Sequence, residues 1–492
     1  MLTVAVFAPL VGALVVASLA RVREAVVRAM AVAIAAVPLV LMAVAWLRYP
    51  GGPGFHLVES ARWIPTLGVT YKVGVDGISL PLGALTALLF VASVAYPVDV
   101  KGRPRHYYAT FLFLECVSLG LFLALDLFLF YVFFDLSLVG MYFLIAVWGH
   151  GNARRSALKF FLYTLAGTLV MLLGILGLYL STSPRTFDMV AIIAQQPLAG
   201  GGAKAALIFA ALAVGLGIKT PVVPFHTWLP PAHVDAPAPA STILAGVLLK
   251  MGTYGFVRIL LQMLPDTFRQ FAPWLGVIAV VSIVYGSLVA LAQTNLKRLI
   301  AYTSVTHMGY VILGVAAAGG LASREASARA IALTGATVEM VAHGLITGAL
   351  FLVAGSFWQR GETYEMGEYG GLASRAPMLA GATLVGAFAS LGLPGLVGFV
   401  AEFQVFAGAV SVYPVLAALG LLGLVLTAAL FLRMLAQLFF GPLPPRWADW
   451  PDLSANEAVV LAPLLALVIA LGVAPAWLVD VVHASAAALI GR

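Results

Sequence analysis

Cysteine and charge are what this sequence has least of. One cysteine, Cys116, stands among 492 residues, so the chain can close no intrachain disulfide and cannot ligate an iron–sulfur cluster by itself. Charged residues make up 10% of the chain and hydrophobic ones 62%, too few polar groups to coat a water-soluble globule of this length. A polar linker, a low-complexity tail and a soluble domain are also missing, which leaves a single membrane domain over 1–492. The first apolar run, Thr3 to Ala20, has no basic stretch before it and passes into a basic loop, so it is expected as a retained helix and not a cleaved signal. The excess of 27 Lys and Arg over 20 Asp and Glu is scattered over short loops. That argues against a nucleic-acid partner and for membrane topology.

What is present is a succession of apolar runs of about twenty residues, each long enough to cross a bilayer as a helix. Their length excludes a closed barrel. The fold class is therefore an all-α polytopic membrane protein of about 14 transmembrane helices, with spans near 2–20, 27–47, 78–97, 108–125, 127–148, 157–181, 205–229, 238–262, 272–293, 297–319, 328–357, 377–408, 411–440 and 457–485. If the loop with Arg21, Arg23 and Arg28 is cytoplasmic, that side also receives Lys101, Arg103, Arg105, Arg154, Arg155, Lys159, Lys297, Arg298, Arg360, Arg375 and Arg446. By the positive-inside rule both termini then face the outer, periplasmic side. Trp63, Trp148, Trp228 and Trp274 read as interfacial anchors, and Arg154, Arg155, Lys297 and Arg298 as topology determinants at the interface.

Two spans are interrupted in corresponding ways. The seventh reads GIKTPVVPFHTWLP (217–230) and the twelfth SLGLPGLVGFVAEF (390–403). Proline and glycine inside a membrane helix free backbone carbonyls that must be satisfied within the protein, so each break predicts a polar pocket. Each break carries an ionisable residue, Lys219 and Glu402. Discontinuous helices in matching positions point to two inverted-topology repeats of five helices with ion sites near the midplane. The first repeat is expected over about 108–262 and the second over about 272–440, with 1–97 and 457–485 as flanking helices.

A charged side chain at the centre of a span costs about 2.5–3.5 kcal/mol on insertion scales, so such residues rarely persist without a use. Asp135, Lys219, Lys250, His307, His343 and Glu402 all fall inside predicted spans. Thr303, His307, Tyr310 and Gly314 share one helical face, as do Gly246, Lys250 and Thr253, and such a face can hold a file of water. Burial disfavours a charged lysine and a nearby carboxylate restores it, so moving the partner switches the lysine between holding and releasing a proton. Asp135 with Lys219 is the candidate pair. His307 and His343 suit intermediate sites because an imidazole titrates near neutrality and has two nitrogens. Glu402 would be the far terminal. The competing reading is structural: a packing ion pair at Asp135, Lys219 or Lys250, a carbonyl-bonded histidine at His343 beside Glu339, and capping or surface roles for His226 and His233.

With those residues in view, the sequence resembles the antiporter-like membrane-arm subunits of respiratory complex I, NADH-quinone oxidoreductase, over essentially its full length. The resemblance rests on GIKTPVVPFHTWLPPAHVDAPAPASTILAGVLLKMGTYG (217–255), QTNLKRLIAYTSVTHMGY (293–310) and LPGLVGFVAEF (393–403). Among these subunits it is similar to the chain M type, because it ends soon after the fourteenth span and carries glutamate, not lysine, in the twelfth. The resemblance implies proton translocation through Asp135, Lys219, Lys250, His307, His343 and Glu402, with Asp135 standing where glutamate is usual. It implies no cofactor and no metal on this chain, with NADH, FMN, iron–sulfur clusters and quinone on partner subunits. The implied partners are other antiporter-like and quinone-proximal membrane-arm subunits, the peripheral redox arm and the lipid bilayer of a bacterial inner membrane. Alternatives with the same fold are an Mrp-type cation/proton antiporter subunit, the membrane arm of an energy-converting hydrogenase, and a scaffold that has lost conduction.

Overall fold

Each apolar run winds into a helix, which satisfies the backbone N–H and C=O groups within the segment itself, as hydrocarbon requires. The computed structural model describes residues 1–19, 22–100, 102–320 and 326–491; Ala20, Arg21 and Lys101 lie outside the described residues. Ten helices in the described residues are long and apolar enough to cross a membrane, and five shorter apolar helices accompany them. The amino-terminal helices are α1 (Leu2–Ser18) and α2 (Glu24–Arg48), and then comes a two-stranded antiparallel hairpin, β1 (His56–Ile64) and β2 (Val69–Val75). This hairpin departs from the all-helical expectation. Its strands carry four valines with Trp63, Ile64, Thr70 and Tyr71, residue types that suit a pleated surface, and Gly68 closes the turn at φ 68, a left-handed conformation that favours glycine.

The hairpin ties the ends of the chain together. Glu59 accepts the Met1 ammonium at 2.6 Å and the Leu2 and Thr3 amides at 2.8 and 2.9 Å. Partial burial pushes the Glu59 carboxyl up, but the ammonium, the Thr3 hydroxyl and those amides outweigh it and hold it at about 2. The contact is therefore fully formed at neutral pH and lost only as pH falls toward that value. Beyond β2, Asp76 takes two hydrogen bonds from Arg258, at 2.8 and 2.7 Å, in a buried bidentate pair.

The bundle continues with α3 (Ser79–Ala95), α4 (Pro104–Leu123), α5 (Leu127–Trp148), α6 (Ala153–Tyr179), a short α7 (Met189–Gln195) and α8 (Ala203–Lys219). Asp126 starts α5 by accepting the amides of Phe128 and Leu129, which an isolated helix end would leave unpaired. The seventh span breaks as expected: α8 stops at Lys219, turns occupy 220–228, and α9 (Leu229–Asp235) follows. Next come α10 (Ala238–Leu261), α11 (Pro265–Leu291), α12 (Leu296–Ala318) and the 36-residue α13 (Ala326–Gly361). Helix α10 is α-helical at Leu249–Gly255 and wound into π turns at Leu244–Leu248 and Phe256–Leu261.

The twelfth span is also broken, into α14 (Pro377–Ser390) and α15 (Val397–Val412), with Gly392 and Gly395 at φ 75 and 92 in the connection. The bundle closes with α16 (Pro414–Phe439), α17 (Ala455–Val473) and α18 (Ala476–Ile490). The run 457–485, expected as one span, is thus divided at Ala474–Pro475, where proline cannot donate to a continuing helix. Helix α18 packs on α13, and Ser485 accepts the Gly77 amide at 2.9 Å, which brings this end of the chain to the hairpin side as well.

Candidate functional site

The interior polar cluster is assembled where α10, α12, α13 and the second broken helix meet. Lys250, completely buried on α10, sets its Nζ 2.5 Å from the Ala245 carbonyl and 2.5 Å from His343 Nδ1. The flanking π turns are the kind of local irregularity that concentrates at functional sites. His343, on α13, lies 5.3 Å ring to ring from His307 on α12. His307 in turn meets Glu339 Oε1 through Nδ1 at 3.0 Å and Ser390 Oγ through Nε2 at 2.9 Å, with Glu402 Oε1 3.8 Å from Nδ1. The run is thus Lys250, His343, His307, then Glu339 and Glu402, and all five are buried.

The break in the second discontinuous helix brings two of these groups into place. Ser390 is the last residue of α14, and Glu402 sits in the second turn of α15, so both can approach His307 only because the chain bends between them. Glu402 Oε2 is packed against Gly392, where an added Cβ would stand 2.3 Å from it. Gly392→Ala is accordingly expected to displace the Glu402 carboxylate and to lower proton transport nearly as far as Glu402→Ala is expected to. Gly395→Ala, in the same connection at φ 92 but with nothing within 4 Å of the added Cβ, is the matched control for backbone strain, and transport assays of the three variants side by side check it.

Lys219 and Asp135 form a separate station, and not the contact pair expected from sequence. Lys219 is the last residue of α8, lies over the Phe134 ring at 5.1 Å and donates to Ser137 Oγ at 2.8 Å. Asp135, half-buried, takes Thr168 Oγ1 of α6 at 2.8 Å, and none of its oxygens comes within 4.0 Å of Lys219. The reason is helical geometry combined with side-chain length. Residues two apart on a helix point in different directions, so when Ser137 faces α8, Asp135 faces α6, and the short aspartate does not bridge the difference. The station still lies beside the cluster, because α8 and α10 approach closely: a Cβ on Gly252 would fall 2.4 Å from Thr220 Oγ1.

Several other sequence expectations change. Lys297 is no interfacial determinant: it is completely buried, donates to the Ala236 carbonyl at 2.5 Å and lies over the Tyr364 ring at 5.2 Å. Trp228 is not an interfacial anchor either, being buried with its Nε1 bonded to the Ile218 carbonyl at 2.9 Å, whereas Trp63 and Trp274 are exposed. His226 and His233 are buried and so are not surface groups; His233 stacks on Phe351 at 4.5 Å. Lys159 is exposed and reaches the Thr227 carbonyl in the first break at 2.7 Å. In the loop between α5 and α6, burial and the nearby Lys297 push the His150 ring down to about 3, so it is neutral at physiological pH.

Sequence reasoning missed two acids. Glu339 stands four residues before His343, a spacing that puts it on the same helical face, and the structure gives it to His307. Glu115, in the middle of α4, is completely buried, and neither carboxylate oxygen has a hydrogen-bond partner among the described residues. A single acid in an apolar run was the available signal.

Residues 124–430 match the family described as NADH:quinone oxidoreductase/Mrp antiporter, transmembrane. The chain is similar to NADH-quinone oxidoreductase subunit M of Rhodobacter capsulatus, 39% identical over 453 residues, covering 90% of this chain and 86% of that one. It is similar to a chain in the structure of respiratory complex I from Thermus thermophilus with bound NADH, at TM-score 0.90 and 31% identity, covering 100% of this chain and 99% of that one. A chain of the Mrp complex from Dietzia sp. DQ12-45-1b shares the fold at TM-score 0.88 and 23% identity, over 99% and 97% of the two chains.

Proposed function

The chain belongs to the NADH:quinone oxidoreductase/Mrp antiporter transmembrane family, and from that premise we propose that it is the proton-translocating membrane subunit, chain M, of an NADH:quinone oxidoreductase. The observation that carries this reading is the buried succession in which Lys250 bonds His343, the His307 ring lies 5.3 Å from the His343 ring, and Glu402 lies 3.8 Å from His307 Nδ1. Proton transfer needs groups that can both accept and donate, within hydrogen-bond reach or one water apart. Lysine, imidazole and carboxyl meet that requirement, and burial keeps bulk water from short-circuiting them.

In this reading Lys219, at the first break, receives a proton and its electrostatic balance is set by the state of Asp135. Lys250 takes the proton onward through His343 and then His307, whose two ring nitrogens face Glu339 and Ser390, and Glu402, at the second break, passes it on. Glu339 fixes His307 from the side opposite Ser390. The two breaks then stand in equivalent places in the repeats 108–262 and 272–440. The chain would contribute no redox group, so NADH, FMN, iron–sulfur clusters and quinone would sit on partner subunits, with antiporter-like and quinone-proximal membrane subunits as neighbours. Both ends of the chain lie on the hairpin side, while Arg103, Arg105, Arg154, Arg155, Arg298 and Arg375 flank helix ends away from it. The positive-inside rule makes the hairpin side the outer face of a bacterial inner membrane.

The shared fold keeps an Mrp-type antiporter as the second reading, with an energy-converting hydrogenase arm as the third. Affinity purification of the chain from its native membrane separates them. A flavin- and iron–sulfur-containing assembly that oxidises NADH and acidifies the lumen of inverted vesicles is the expected result. Sodium-dependent transport without redox partners, or a nickel-containing partner, would overturn it.

A further inference from the structure

Away from the proton-handling cluster, a lateral cavity of about 520 Å³ opens between α1, α4 and α5 beneath the hairpin, within the ~300–1,000 Å³ range typical of ligand pockets. Its walls are apolar, with Phe7 and Leu10 from α1, Val117 from α4 and Val132 from α5. Its hairpin end has a different chemistry. Arg62 and Trp63, consecutive residues of β1, line that end and are exposed. Tyr71 of β2 shuts one corner, its hydroxyl donating to Thr3 Oγ1 at 3.1 Å.

The charge at this mouth has no counterion among the described residues. No carboxylate oxygen lies within 4.0 Å of Arg62. Glu59, the one acid on the same strand, is occupied by the Met1 ammonium and the Leu2 and Thr3 backbone amides. A guanidinium beside a tryptophan at the level of the membrane surface, above an apolar slot running along spanning helices, has complementary chemistry in a single molecule. A diacyl phospholipid presents a phosphate, which a guanidinium can grip through paired N–H donors, and below it a hydrocarbon chain that loses nothing by leaving the bilayer for an apolar wall. Trp63 sits where indoles favour the polar–apolar boundary.

We propose that this cavity is a specific phospholipid site, the phosphate held by Arg62 and one acyl chain seated against Phe7, Leu10 and Val132. The chain's intact assembly, reconstituted into phosphatidylethanolamine vesicles carrying a photoactivatable diacyl phosphatidylglycerol, is the test. Crosslinks are expected on the α1, α4 and α5 segments that line the slot. Arg62→Gln should lower them about fivefold, the effect of losing one basic contact to lipid phosphate, and Arg62→Lys should restore part of the loss. Leu10→Trp, which fills the slot, should lower them with Arg62 intact. None of the three variants touches the interior cluster, so transport and assembly should be preserved and report correct folding. Labelling that is unchanged in both Arg62→Gln and Leu10→Trp overturns the proposal. So does a crosslinked protein segment in the slot in place of lipid.

Discussion

Lys250→Met is expected to leave the chain inserted and assembled while cutting NADH-driven proton transport about 100-fold or more, the scale on which removing a positioned proton-transfer group acts. Methionine keeps the length and the apolar stem and deletes only the ammonium. The ammonium has two polar contacts, the Ala245 carbonyl and His343 Nδ1, so the variant leaves His343 without its partner at the start of the run. The structural cost is bounded by one unsatisfied buried group, about 1–3 kcal/mol, which a multi-helix bundle tolerates. Proton uptake by inverted vesicles or proteoliposomes, measured beside the assembly's sedimentation or native-gel mobility, separates the two effects. Intact assembly with normal pumping would sink the assignment of Lys250 to the path.

Lys219→Ala should be about as severe, with pumping reduced about 100-fold or more in an assembled complex, because it empties the station at the first break. The Asp135 series then decides what the carboxylate does. Asp135 already spends one oxygen on Thr168 and stands clear of Lys219, so its action on the lysine is through space. Asp135→Glu lengthens the arm by one methylene and is expected to keep activity, whereas Asp135→Ala removes the charge and should impair it. Equal pumping in aspartate, glutamate and alanine forms would show that the residue serves packing alone. Ser137→Ala adds a control: it deletes the direct hydrogen bond to Lys219 and should cost less than losing the charge.

Both broken helices were legible in the sequence because Pro and Gly act locally: nothing distant can return the hydrogen bond that Pro221, Pro224 or Pro394 removes. The spans were legible for the same local reason. What could not be read was which face each helix turns to which neighbour. Asp135 and Ser137 differ by two positions, and only the placement of α6 and α8 around α5 determines that serine takes the lysine. Lys297 looked interfacial because it stands next to Arg298 at a helix start, yet one faces inward and the other outward. Glu339 shows the converse: its periodicity gave the face, but its partner comes from another helix. The hairpin was hidden because its strands show no regular alternation and stand next to a Gly- and Pro-rich loop, and the division at Pro475 was masked by apolar residues on both sides.

The winding of α10 has a mechanical consequence. Each π turn holds one residue more than an α-helical turn needs, and Lys250 lies on the single α-helical stretch between two such turns. If the surplus residue passes from one side of Leu249–Gly255 to the other, that stretch turns by about 100°, one residue's share of a helical circuit, while the ends of the helix stay anchored. The turn would carry the Lys250 side chain away from His343 without breaking the span, and because Lys250, Met251 and Tyr254 are completely buried it would need the packed neighbours to give way with it. On the proposed function, the register of this helix is where a lysine alternating between two stations would find its slack.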